Sequence, residues 1–167
     1  MAPQRTENST RRSGGFTLAE LMVVVVIIGV TAGMVIPYAS SAADSAAMAA
    51  ARMIVSDLQY AQNAAITTQS PVTVTFSSAG ESYTVSNASG PLIHPINKTA
   101  YVTDFSSQRG FEGIDIVSVN FNGTAAVTFD ELGSPDNTGT VTMQAGAQVY
   151  VITVAAGTGK VTVAASE

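Results

Sequence analysis

Cysteine and tryptophan are absent from this 167-residue chain, and histidine occurs once, as His94. Without cysteine there is no disulfide, no thiolate metal ligand and no cysteine nucleophile. His94 stands beside Pro95 with no second histidine or cysteine to complete a metal site, and it reads as a loop residue. Charge is scarce too, at 11% of residues against 46% apolar. Serine and threonine are plentiful, but no base converges on any of them. No acid, base and nucleophile set stands out, so neither enzyme activity nor a cofactor is expected. The length suits one domain, or one domain with an anchoring segment, and excludes a bilobal enzyme.

The few charges are unevenly placed. Arg5, Arg11 and Arg12 all precede Phe16, whereas Glu7 is the single acid there. From Phe16 onward four bases face eleven acids, a formal charge of −7. Such a balance argues against a nucleic-acid partner unless Arg52, Lys98, Arg109 and Lys160 cluster.

Four stretches follow one another. Residues 1–15, MAPQRTENSTRRSGG, are polar and basic with no hydrophobic period, and read as a processed leader. Residues 16–37 begin with an apolar run, Phe16 to Ile36, broken by one charge, Glu20. At about 1.5 Å per residue, a helix of that length matches a hydrocarbon core of roughly 30 Å. This predicts a transmembrane helix, with Pro37 as its kink. Residues 38–70 carry Ala47, Ala51, Ile54, Leu58, Ala61 and Ala65 at alternating spacings of four and three, the stripe of an amphipathic helix. Residues 71–167 switch to period two. Val72, Val74 and Phe76 alternate with threonines, Tyr83 and Val85 follow a turn, and further runs start near Ile114, Ala125, Val141, Val149 and Val161. The expected fold is α+β: a long N-terminal helix on an antiparallel β-sheet head of six to eight strands, with a looser stretch from Pro91 to Gly110.

One string is more specific than these patterns. Gly15-Phe16-Thr17-Leu18-Ala19-Glu20-Leu21-Met22, followed by VVVVIIGV, resembles the leader of type IV prepilins and type II secretion pseudopilins. The resemblance implies cleavage between Gly15 and Phe16 by a prepilin peptidase, followed by N-methylation of Phe16. It also implies a pairing of Glu20 with the Phe16 amine of a neighbouring subunit. SDLQYAQNAAITTQSPVTVTF and FDELGSP are similar to the GspH/FimT-type pilin domain, as is VYVITVAAGTGKVTV. The implied function is a filament subunit, foremost a minor pseudopilin of a type II secretion system, anchored in a bacterial inner membrane with its head outside the cytoplasm. Its partners would be other pilin subunits, the peptidase and the inner-membrane assembly machinery. A minor type IV pilin for pilus assembly or DNA uptake is the alternative. A periplasmic protein with a conventional signal peptide, cleaved between Tyr38 and Ala43, is a third.

Weaker patterns stand beside it. Asp130, Glu131, Asp136 and Asn137 form an oxygen-rich loop whose spacing does not match an EF-hand; it reads first as a solvated turn, with calcium binding as the alternative. Asn97-Lys98-Thr99 fits a glycosylation sequon of a length that chance supplies. Thr10-Arg11-Arg12 is not followed by the apolar residues that a twin-arginine signal needs.

Overall fold

The computed structural model describes residues 16–166, with the side chains of 33–43 outside the description. A helix, α1, runs Leu18–Thr68, and nine strands follow among the described residues. The chain divides into two compact units, Met1–Tyr38 and Ala39–Glu167.

In the first unit, the apolar residues from Phe16 to Val30 are exposed all round the helix. A helix apolar on every side needs lipid or other helices to cover it. Thr31 satisfies its hydroxyl internally, donating to the carbonyl of Ile27 at 2.9 Å, which lets it sit in such surroundings. The helical assignment continues through Pro37, and the expected kink falls among residues whose side chains are outside the description. Among the described residues, no helix is long and apolar enough to cross a membrane.

In the second unit, the stripe read from the sequence is the buried face of α1: Ala47, Ala51, Ile54, Leu58, Ala61 and Ala65 are inaccessible to solvent. Burying Ile54 and Leu58 alone is worth about 1.5–3 kcal/mol each. The helix ends in a Schellman motif, with Gln69 left-handed (φ 49°) and the Ser70 amide bonded to the Ala65 carbonyl at 3.3 Å. Pro71 then starts the head.

Two antiparallel sheets form that head, where the alternation suggested one. The first sheet holds β1 (Val72–Ser77), β2 (Ser82–Asn87), β3 (Gly90–Pro91), β4 (Val102–Asp104) and β6 (Ala126–Phe129). Its order is β3-β2-β1-β6, with β4 also on β2. The second has the order β5-β7-β8-β9, from β5 (Ile114–Asn120), β7 (Gly139–Ala145), β8 (Gln148–Val154) and β9 (Val161–Ser166). One core joins the helix stripe to the inner faces of both sheets. A bulge in β5 between Asp115 and Ser118 shifts the register against β7, and the Glu81 carboxylate accepts the Ile116 amide there. The looser stretch starts at the end of β3 and holds β4, and the buried Tyr101 and Phe105 fasten it.

Gln62 ties the helix to both sheets. Its amide donates to the Gly133 carbonyl after β6 at 2.7 Å and to the Thr158 carbonyl after β8 at 2.9 Å. Gly159, at φ 63°, lies so close to that amide that a side chain there would collide with it.

Candidate functional site

The start of α1 is built by a local capping motif. Thr17 precedes the first helical residue, and its Oγ1 accepts the Glu20 amide at 3.2 Å. Its carbonyl accepts the Leu21 amide, also at 3.2 Å. Thr17 is therefore the N-cap and Glu20 the third helical residue, the pattern Ser/Thr-x-x-Glu of a capping box. The placement also sets the Glu20 charge in the first turn, where the helix dipole favours an anion. Phe16 is 77% exposed, and Glu20 is exposed as well. Gly15 lies outside the described residues, and Pro37 within the stretch without described side chains. The sequence reading missed the cap, although Thr17 and Glu20 stand three apart just ahead of the apolar run.

A second constellation lies in the head. Asp57 faces the core from α1 and is 9% exposed. Tyr83 from β2 donates its hydroxyl to one carboxylate oxygen at 2.6 Å, and Tyr101 donates to the other at 3.0 Å. Burial raises the Asp57 carboxyl above its ordinary value of 3.8, against the two hydroxyls and the nearby His94, which pull it down. Both tyrosines are pushed up in turn, by burial first and by the Asp57 charge second.

Three rings stack beside this acid. Tyr101 lies against Tyr60, with centroids 5.2 Å apart and planes 7° apart, and against His94 at 4.4 Å and 22°. His94 Nδ1 accepts the amides of Ile96 and Asn97 at 3.2 and 3.3 Å, so it closes the loop between β3 and β4. His94 is thus a loop residue with a structural task. The rings and Asp57 line an open cleft of about 380 Å³, with Met53 and Ile96 on its walls. Sequence reasoning missed Asp57, although it sits three residues after Ile54 and four before Ala61, on the apolar face.

The remaining candidates separate. Asp130 Oδ1 accepts the Leu132 and Ser134 amides, and Asp136 Oδ1 accepts the Thr128 amide, so both carboxylates organise their own loop. No group of three or more metal-ligating side chains occurs among the described residues. Arg52, Lys98, Arg109 and Lys160 are exposed on four separate segments: α1 and the loops before β4, β5 and β9.

Residues 50–159 match the family model described as type II transport protein GspH. The chain belongs to the GspH family. Residues 10–36 match the prokaryotic N-terminal methylation motif, the segment that holds Phe16, Thr17 and Glu20. In fold, the GspH-family head is similar to the minor pseudopilin EpsH from the type 2 secretion system of Vibrio cholerae. The TM-score is 0.54 at 14% identity, over 71% of this chain and 96% of that one, and a second EpsH structure gives 0.55. The type IV minor pilin FimU of Pseudomonas aeruginosa is similar too, with a TM-score of 0.51 at 16% identity, over 71% of this chain and 87% of that one. No curated protein matches the chain.

Proposed function

We propose that this GspH-family chain is a minor pseudopilin of a type II secretion system, cleaved between Gly15 and Phe16, N-methylated on Phe16, and held in the bacterial inner membrane before it enters a pseudopilus. The single observation that carries the reading is a GspH-type head following a methylation motif on one continuous helix. The role is structural: a subunit that packs with other pilin-like subunits.

The chemistry at the helix start supports this assignment. The apolar surface from Phe16 to Val30 finds cover first in lipid and then among neighbouring helices of the filament. Arg11 and Arg12 keep the leader on the cytoplasmic side, so the head lies on the other face. An unpaired carboxylate in such a helix costs about 2.5–3.5 kcal/mol on insertion scales. The Phe16 amine of the next subunit offsets that cost by pairing with Glu20, which fixes the axial register between subunits.

The test is co-expression with a prepilin peptidase, followed by N-terminal sequencing and mass measurement. N-methylated phenylalanine at position 16, with loss of that product in a Gly15→Val variant, is the expected result. A mature start near Ser41 or Ala42 would replace this reading with a conventional signal peptide. Recovery of the chain in sheared type IV pili, and not in a secretion pseudopilus, would make it a minor pilin.

A further inference from the structure

The Asp57 cleft has no part in the N-terminal assembly chemistry, yet it combines features that a purely structural polar contact does not need. A carboxylate offers about four lone-pair sites, and Tyr83 and Tyr101 fill only one on each oxygen. The cleft reaches the acid from outside. Among the described residues, the groups acting electrostatically on Asp57 are Tyr83, Tyr101 and His94, with no Lys or Arg. A buried carboxyl is thus left with no Lys or Arg partner among the described residues, beside an opening to solvent.

We propose that this cleft receives an arginine side chain presented by a partner protein. The guanidinium fork can donate to the two open lone-pair positions of Asp57. Tyr60, stacked on Tyr101 by one face and lining the cleft, offers an aromatic surface for a planar cation. Met53 and the exposed Ile96 supply apolar walls for the three methylenes of the stem. Lysine meets these demands less well, because its ammonium is a strongly hydrated point charge that neither stacks nor bonds bidentately. The charge of −7 from Phe16 onward favours approach of a basic segment. The inference rests on the head alone, so it stands or falls independently of which filament takes the subunit.

The experiment uses the full chain without a histidine tag in detergent micelles, at neutral pH. His94 is the one histidine, so its ring-proton NMR signal is a single reporter placed in the cleft wall. Titration with N-acetyl-L-arginine amide should move that signal saturably, with a dissociation constant on the order of 1 mM for so small a probe. The uncharged citrulline analogue should bind at least about tenfold more weakly, as expected when a hydrogen-bonded charge is removed. Asp57→Asn should lose the arginine response. Should that variant fail to fold, Tyr60→Leu decides: it should keep the melting temperature within a few degrees and weaken binding roughly fivefold, the scale of one cation–π contact. Absence of a saturable shift, equal binding of citrulline, or wild-type binding by a folded Asp57→Asn or Tyr60→Leu protein would each overturn the proposal.

Discussion

The Tyr83 hydroxyl donates to the Asp57 carboxylate at 2.6 Å across 26 residues of sequence, and Tyr101 completes the contact from 44 residues away. Helix, hairpin and the following loop thereby share one buried acid. Removing the acid while keeping the rings orphans two buried hydroxyls, at about 1–3 kcal/mol for each unsatisfied group. Asp57→Ala should therefore lower stability by several kcal/mol in urea denaturation, whereas Tyr83→Phe, which leaves Tyr101 on Asp57, should cost less.

The same acid sets a pH dependence. Its carboxyl is raised above 3.8 in the folded chain, chiefly by burial. Between the unfolded and the raised folded value, the native state holds a proton that the unfolded state has released. Stability contributed at this site is then full below 3.8 and declines as pH rises through that window. Urea midpoints of wild type should carry this downward term with rising pH relative to Asp57→Asn, whose amide does not titrate. Parallel pH profiles of the two proteins would remove it.

Glu20 now has two possible duties, as an N3 capping residue and as a charge partner, and glutamine separates them. A capping box accepts Gln as well as Glu. Glu20→Gln should keep the helix start and normal cleavage yet enter filaments as poorly as Glu20→Ala, because truncating one member of a buried pair costs about 3–5 kcal/mol. Comparison of cleaved membrane-bound subunit with sheared or cross-linked filament reads this out. If Glu20→Gln assembles like wild type, capping is the duty and the charge pairing is wrong.

Gly139 opens β7 where a Cβ would run into the Phe121 ring and the Asn120 carbonyl oxygen. Gly139→Ala should force β7 away from its neighbour and destabilise the head by about 1–3 kcal/mol, in line with overpacked cores. Gly29, where an added Cβ meets nothing within 4 Å, is the control: Gly29→Ala should leave head stability unchanged.

A fragment beginning at Ala39 corresponds to the second compact unit and should be soluble, folded and monomeric by sedimentation. Its bases sit on four separate segments, so DNA binding should be weak at physiological salt. Tight, salt-sensitive binding would show that those bases form one surface.

Much of the fold was legible because periodicity reports burial directly. Every residue of the Ala47–Ala65 stripe is buried, and each strand expected from alternation is present. Period two reports which way a side chain faces but not which strand lies alongside. The return of β6 to β1, across more than 40 residues, and the pairing of β5 with β7 are therefore not written locally. They split the head into two sheets. Pro91 to Gly110 looks loose because its anchors, Tyr101 and Phe105, belong to no alternating run and pack in part on Tyr60 and Tyr83 from earlier elements. Asp57 escaped notice for a related reason: its meaning depends on two hydroxyls that come later in the chain. The proposed processing residues, Gly15 and Phe16, are legible only as a motif, since the proposed cleavage and methylation would depend on an enzyme that reads the leader.

Chain order gives Asp57 one more consequence. The carboxylate lies on a helix that closes at Thr68, while the hydroxyls that receive it come later, from β2 and from the loop before β4. A chain cut short before Tyr101 would leave one Asp57 oxygen without its donor, and one cut short before Tyr83 would leave both. The helix therefore carries a polar group that it cannot satisfy by itself, and its second half has no finished partner until the head has formed.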